Sequence, residues 1–585
     1  MKKYLTRFLL LVVAATCMWA CASEKKEEPK QAEEQKDDNK NTLGNGEIAC
    51  ANVAVPASAA FDLAEMDKEV VFAAYISVDD IVKKSGLTEN QRKLIATQAI
   101  AEIEDAYLQE YVRKAIVDLD ESGIKFSKPI YATCTIGHVD NEAVFECVVV
   151  AEVSNANTLD ELLSRAGAPL EERNGVRYIN EYDDGTYVTM GYNYRNLVFA
   201  ITNNDASYEL FESTLNSAKL DLSLFGDRDI ALYINGGELF DFAKAFYQNG
   251  IEEYKQMYHE CRENGYKYDA EYAMEQVMEC EDELANLNTM IELVGEDFKS
   301  VMGLTFENGR IVLDTRYEGV KSGYDVWNTL DNAHLKYIPH NAFGFANFGI
   351  NGPNLVAALK EVLTPDMKEM ICESFGIDAN LLPAVYDALE SINGDVTVAL
   401  NYYNVEESFE YDYYWDEYYP TTVYDIEGFA MANTTNPYIY ENLALMLPCL
   451  KKSANGYYME TEDQRWDIGQ IDNRLYLGLN TSCNNAISKS LESKWVNRLD
   501  NSIAYIAVDI QNVLTSQLGK KFMDELRNSC SYKDYEMIKS GVNMLDGAWL
   551  RFGNNNSAEL VLALADSETN ALAQIINFVI SNRTN

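Results

Sequence analysis

Four segments of this chain repeat one pattern, an apolar strand followed by a polar turn and the amphipathic start of a helix, and that recurrence constrains the fold more than any single motif. Residues 71–76 lead to Asp79, Asp80 and Ile81; residues 230–234 lead to Gly236, Gly237 and Glu238; residues 343–348 lead to Asn354 and Leu355; residues 503–508 lead to Asn512 and Val513. Each segment opens a module. Helical sequence follows, clearest over residues 88–119, where Thr88 and Gln91 have capping-box spacing and Leu94, Ile95, Val112 and Ile116 hold one face until Gly123. Each module then returns to paired strands: residues 130–136 with 143–153, 301–306 with 310–317, 396–403 with 424–432, and 548–552 with 558–565.

The first and third modules carry a further hairpin that the second and fourth lack. Residues 190–199 match residues 468–477 in pattern, and the two stretches are separated by nearly the same distance as the openings at Ile230 and Ile503. Two landmarks at similar spacing imply duplication of a long-plus-short unit. The expected architecture is α+β, with duplicated modules of antiparallel sheet carrying helices on one face. The halves are residues 50–333, with modules at about 50–222 and 223–333, and residues 334–585, with modules at about 334–495 and 496–585.

Ahead of the modules, Lys2, Lys3 and Arg7 precede an apolar run over residues 8–15 that is too short to span a bilayer. Residues 1–20 therefore read as a signal peptide. Ala20 is the small residue that signal peptidase II requires before an acylated cysteine, so Cys21 is the expected site of diacylglycerol and palmitate; Cys17, after Thr16, is the alternative. Residues 21–49 are dominated by Lys, Glu, Asp, Gln and Asn with no aromatic residue, the composition of a disordered tether. Its mean reach is about 25–30 Å. The formal net charge is −45, and loss of the signal peptide makes it more negative. Such a chain repels phosphate, which disfavours nucleic acid as a partner. The expected partner is a membrane, reached through the N-terminal lipid.

Taken together, the tether, Ser85-Gly86-Leu87 after the first opening, Ser122-Gly123-Ile124 before Lys128-Pro129-Ile130-Tyr131, and the entry Ile338-Pro339-His340-Asn341-Ala342 are similar to those of a family of gut Bacteroidota surface lipoproteins that carries only a domain-of-unknown-function number. The resemblance covers nearly the whole mature chain. It implies internally repeated α+β modules and an outer-membrane location, with acidic residues after the lipidated cysteine favouring the cell exterior over the periplasmic face. It carries no activity.

The search for chemistry yields no catalytic set. With 93 acidic residues, carboxylate spacing has no contrast and cannot mark a glycosidase or protease. His138, His259, His334 and His340 form no HExxH pattern and are expected to be hydrogen-bonded or solvent-facing. Gly519-Lys520-Lys521 lacks the first glycine and the hydroxyl of a phosphate loop and reads as a helix turn. Ser122 and Lys125 have Ser-x-x-Lys spacing without the flanking motifs of acylating enzymes. Cys134 and Cys147 fall opposite each other on adjoining strands, as a disulfide or as two buried thiols. No cofactor or metal is implied.

The most unusual stretch, residues 402–419, interleaves tyrosines and Trp415 with acids. Tyr413, Tyr414, Trp415 and Asp416 are the candidate ligand contacts, aromatic faces stacking on a glycan or a protein ligand while carboxylates accept hydrogen bonds. The structural alternative is a hairpin whose aromatics pack on the neighbouring sheet, and Trp415 is expected near the tip of an irregular one. The reading is a non-enzymatic surface lipoprotein with a binding or structural role. The alternative is a surface glycan- or peptide-degrading enzyme whose carboxylates are lost in the acidic background.

Overall fold

The computed structural model describes residues 70–583 apart from 100–105, 118, 140–141, 166–169, 184–185, 205–207, 209, 213, 215–224, 320–324, 332, 340–341, 363–381, 413–416, 437–438, 442–449, 454–455, 461–463, 473, 481–500 and 555. Cys21 and the candidate contacts Tyr413, Tyr414, Trp415 and Asp416 lie outside the described residues. The chain forms two compact units. Strand β1 (Val70–Ile76) is divided between them, with Val71–Ala74 in the second unit, which otherwise comprises Asp80–Gly86 and Arg228–Asn585; Leu87–Asp227 belongs to the first.

In the first unit, helices Glu89–Ala99 and Ala106–Val117 follow the capping box read from the sequence. The Thr88 N–H donates to Gln91 Oε1 at 2.9 Å and the Gln91 N–H to Thr88 Oγ1 at 3.3 Å, satisfying two N-terminal donors reciprocally. Gly123, at φ +87°, turns the chain toward the sheet, and a Cβ there would stand 3.0 Å from the Asn155 carbonyl oxygen. The strands are β2 (Ile130–Val139), β3 (Glu142–Glu152), β4 (Glu171–Arg173), β5 (Val176–Asp183), β6 (Thr186–Tyr192) and β7 (Asn196–Thr202). They pair antiparallel in the order β2-β3-β7-β6-β5-β4. Val150, Val176, Val198, Ala200 and Phe211 form the core beneath them. Cys134 faces Cys147 across the β2–β3 ladder, and the two are joined as a disulfide, which decides between the two readings of that pair.

The second unit contains β8 (Ile230–Asn235), β9 (Lys299–Glu307), β10 (Arg310–Glu318), β11 (Gly344–Asn351), β12 (Ile392–Asp412) and β13 (Glu417–Thr434), followed by β14 (Lys451–Lys452), β15 (Gly456–Glu460), β16 (Arg465–Ile471), β17 (Arg474–Leu479), β18 (Ser502–Asp509), β19 (Leu545–Gly553) and β20 (Ser557–Leu564). The order is β8-β9-β10-β20-β19-β18-β11-β12-β13-β17-β16-β15-β14, every ladder antiparallel. Helices occupy the connections: Gly236–Glu263 and Lys267–Val294 between β8 and β9, Gly352–Val362 and Leu382–Glu390 between β11 and β12, and three helices from Ile510 to Asn543 between β18 and β19. Those three start where Asp509, Ser516 and Ser531 accept hydrogen bonds from the N–H groups of Asn512, Gly519 and Asp534.

The α+β class with antiparallel strands is therefore as the sequence implies. The module pattern also has a counterpart in the topology. Met190 faces Phe199 in the β6–β7 hairpin as Ile468 faces Leu477 in β16–β17, and β7 joins β3 as β17 joins β13. The short modules, β8-β9-β10 and β18-β19-β20, meet at β10–β20, so this stretch of sheet reads the same from either end. Modules from opposite halves thus share one compact unit.

A candidate binding face over a buried polar core

Directly opposed residues of an antiparallel ladder point to the same face, so the registers trace rows of side chains across the sheet of the second unit. One row is apolar across its whole length. Ile230 faces Leu304, Leu304 faces Leu313, Leu313 faces Leu560 and Leu560 faces Leu550. It continues through Ile506, Ala346, Val398, Ala430 and Leu477 to Ile468. None of these eleven side chains is buried; Val398 is 49% exposed and Leu560 46%. With strands about 4.8 Å apart, the row runs for about 48 Å.

The neighbouring positions point the other way. Tyr505, Phe345, Ala399, Phe429 and Tyr476 enter a core closed by Leu330, Leu335, Tyr337 and Ile338. Among the described residues, one face of the sheet is thus packed and the other left open. Monomeric soluble proteins seldom leave a contiguous apolar patch above a few hundred Å² uncovered.

The open face is relieved as well as apolar. Along β13 this side carries Gly428 and Ala432, both buried between their neighbours, and half-buried Ala430, flanked on β12 by Leu400, Val398 and Val396 and on β17 by Leu479, Leu477 and Leu475. Small residues form a floor between two raised walls. Glycine is required at residue 428, because a Cβ would lie 2.7 Å from the Ala399 carbonyl oxygen.

Beneath this face, β11, β12 and β13 turn polar side chains inward. His334 is fully buried and presents Nδ1 to Thr397 Oγ1 and Nε2 to Asn433 Oδ1, both at 2.9 Å. The Thr397 hydroxyl donates to Asn347 Oδ1 at 2.8 Å, Asn347 Nδ2 to Asp395 Oδ2 at 3.4 Å, and the Asp331 N–H to Asp395 Oδ1 at 3.0 Å. Arg474 Nε closes the other end on Asn433 Oδ1 at 2.9 Å. Burial pushes His334 down to about 4, with the Asn433 contact opposing and Arg474 assisting. Burial pushes Asp395 up to about 6, against its hydrogen bond from the Asp331 N–H. Asp331 is held below the usual carboxylate range: burial opposes this, and the Ala333 N–H and Asp395 outweigh it. A sequence with 93 acids and no histidine motif gives no sign that these three residues converge.

The motifs singled out from the sequence do not assemble with this chain of groups. Ser122 Oγ is 3.1 Å from the Ile124 N–H and Lys125 Nζ 3.3 Å from Glu152 Oε2, so each is tied to local structure. Gly519 lies in the first turn of the helix Gln517–Ser529, as a polar helix turn should. His259 is exposed on a helix, and His340 lies outside the described residues. Among the described residues no group of three His, Cys, Asp or Glu is placed to hold a metal ion.

The aromatic stretch extends the β12–β13 hairpin. The described part is a regular ribbon rather than the irregular hairpin expected, with residues opposed without a break from Tyr402 and Glu427 to Asp412 and Glu417. The cause is strand propensity: Val405, Phe409, Tyr411, Tyr418 and Tyr419 are β-formers that keep the ladder in register. Phe409 is 64% and Tyr418 70% exposed, and Tyr411 and Tyr418 lie with ring centroids 5.1 Å apart. Tyr411 and Tyr418 pack on each other across the ribbon, and Phe409 is exposed on it.

Comparison with known families gives a match to Domain of unknown function (DUF4836) over residues 268–572, more than half of the chain. The chain belongs to the DUF4836 family. The matched region begins in the helix Lys267–Val294 and ends in Ala571–Arg583, so DUF4836 contains ten of the eleven row residues and all of the buried polar core. No curated protein and no solved structure matches the chain.

Proposed function

We propose that this DUF4836 protein is a Bacteroidota lipoprotein, anchored at the outer-membrane surface through Cys21, whose folded part binds an apolar ligand rather than catalysing a reaction. The observation that carries the binding reading is the eleven-residue row: an apolar face that no described residue buries, crossing a sheet whose other face is packed. Maintaining that face exposed to water is costly, at roughly 25 cal/mol per Å² of apolar surface that could have been buried, and occupancy removes the cost. The non-catalytic reading is supported by Ser122, Lys125 and His334, whose functional atoms are all engaged in structural contacts. The anchor is supported by the export signal and by Ala20 before Cys21. Among the described residues no helix is long and apolar enough to cross a membrane.

The test is binding of an anilinonaphthalene sulfonate dye to the full chain carrying Cys17→Ser and Cys21→Ser, compared with the same chain carrying Val398→Asp and Ile506→Asp. Saturable dye fluorescence that the two aspartates abolish, with urea unfolding unchanged, is the expected result. Equal fluorescence from both proteins would remove the face from consideration.

A further inference from the structure

The helices Gly236–Glu263 and Lys267–Val294 form an antiparallel hairpin whose seam repeats at intervals of three and four residues. Ala270, Ala273, Val277 and Ile291 are buried along it, with Cys280, Leu284 and Leu287 half-buried between them. A Cβ on Gly250 would stand 3.4 Å from Cys280 Sγ, which sets this face of the second helix against the first. Lys255 Nζ reaches Glu281 Oε1 at 2.9 Å and closes one flank of the seam. We infer that the other flank is a docking groove for a third helix, basic and amphipathic, belonging to another protein.

Helical spacing sorts the charges between the flanks. Lys244, Lys255 and Arg262 succeed one another at about three and two turns, and Lys267 precedes Glu281 by about four, so every Lys and Arg of the hairpin lies on the closed flank. There Lys244, Lys255 and Lys267 meet Asp241, Glu281 and Glu271. The other flank carries Glu253, Glu260, Glu279 and Glu283, all exposed, and neither Lys nor Arg. Its apolar residues are Leu239, Phe246 and Met257 on the first helix and Tyr272 on the second, 41%, 64%, 36% and 51% exposed. Leu239, Phe246, Gly250 and Met257 recur at about two, one and two turns, the period with which one helix reads another, and together they span about 27 Å.

The flank itself selects its occupant. An apolar stripe bordered by four glutamates is covered by a helix whose own apolar stripe is bordered by lysine or arginine. A second copy laid on the same flank would set glutamate against glutamate, and an anionic membrane surface would meet the same repulsion. A third helix also converts a two-helix seam, where Ala270 and Ala273 fill little space, into a bundle.

The experiment titrates a fluorescein-labelled helical peptide of leucine and lysine, with leucines at heptad spacing, into the full chain carrying Cys17→Ser and Cys21→Ser. Its controls are the same composition scrambled and the same pattern with glutamate in place of lysine. Expected are saturable binding at one peptide per chain and binding at least tenfold weaker for both controls. Glu253→Lys with Glu279→Lys and Glu283→Lys should weaken binding at least tenfold. Phe246→Ser with Met257→Ser, at exposed positions, should do the same and reads the flank where the charge-reversed chain does not fold. Glu252→Lys with Glu271→Lys and Asp282→Lys makes the same change in net charge away from the groove and should alter affinity less than threefold. Equal losses from the two lysine sets, or equal binding of the scrambled peptide, would overturn the proposal by showing attraction to an acidic chain at large. Val398→Asp with Ile506→Asp should leave peptide binding unchanged; loss there would move the peptide to the open sheet face and overturn the groove. A photo-crosslinker at residue 246 should capture the peptide, and capture of a second copy or of another part of the same chain in its place would overturn the proposal.

Discussion

His334 Nδ1 and Thr397 Oγ1 meet at 2.9 Å with both side chains fully buried, which places an imidazole and, two hydrogen bonds further on, the carboxyl of Asp395 in one polar chain inside the sheet. The two groups titrate against each other. His334 is lowered from 6.5 to about 4, so its contribution to stability is complete above pH 6.5 and is lost as pH falls toward 4. Asp395 is raised from 3.8 to about 6, so its contribution is complete below pH 3.8 and is lost as pH rises toward 6. Asp331, Arg474 and Lys336 are the charged groups acting on the pair.

The slopes oppose each other over almost the same window, so the contributions of these two groups to the urea midpoint of the wild-type protein should nearly cancel from pH 4 to 6.5. Asp395→Asn removes one slope. Its stability should rise by about 3 kcal/mol across that window, from the size of the His334 shift. His334→Gln should show the reverse, a fall of similar size between pH 4 and 6. Parallel pH profiles for wild type and both variants would show that the two groups do not titrate as described.

Asp229 supports a second prediction. Its carboxylate is buried, accepts from Lys84 Nζ at 2.7 Å and 2.8 Å, and accepts from the Phe306 N–H at 2.7 Å. Asp229→Ala strands a half-buried ammonium and a backbone donor together, which should cost about 3–5 kcal/mol in equilibrium unfolding. Double replacement with Lys84→Met should recover part of that loss, and a double variant no more stable than the single one would argue against the pair.

The disulfide supports a third. Cys134–Cys147 closes a short loop across β2 and β3, 13 residues apart in sequence, and a loop of this size constrains the unfolded chain by about 3 kcal/mol. Cys134→Ala with Cys147→Ala should lower stability by about 2–3 kcal/mol, and reductant should then have no further effect. Unchanged stability would mean the cross-link contributes nothing to this unit.

The repeat pattern made the strands, the hairpins and the Thr88 capping box legible, because each is set by residues close in sequence. The open face was not legible. Val398, Ala430 and Leu477 become neighbours only through registers between strands far apart in the chain, and an apolar residue on an uncovered strand face reads in sequence like one in a core. The polar core was hidden for a related reason. Asp331, Asn347, Asp395 and Asn433 come from four separate segments, and in so acidic a chain neither aspartate stands out.

The β12–β13 ribbon separates exposure from packing within one hairpin. Phe409 and Tyr418 are 64% and 70% exposed, whereas Phe429, further along the same strand as Tyr418, is buried with its ring stacked 5.8 Å from Tyr476. Removing the buried ring creates a cavity and should cost about 3–5 kcal/mol. Removing the exposed pair forfeits little burial, so Phe409→Ala with Tyr418→Ala should shift stability by well under 1 kcal/mol beyond the loss of cross-strand contact, itself about 0.2–1 kcal/mol. Urea unfolding of Phe429→Ala and of the double variant makes the comparison directly. If the ribbon variant proves as destabilised as Phe429→Ala, its aromatics belong to a packed core and the ribbon cannot serve as an exposed arm.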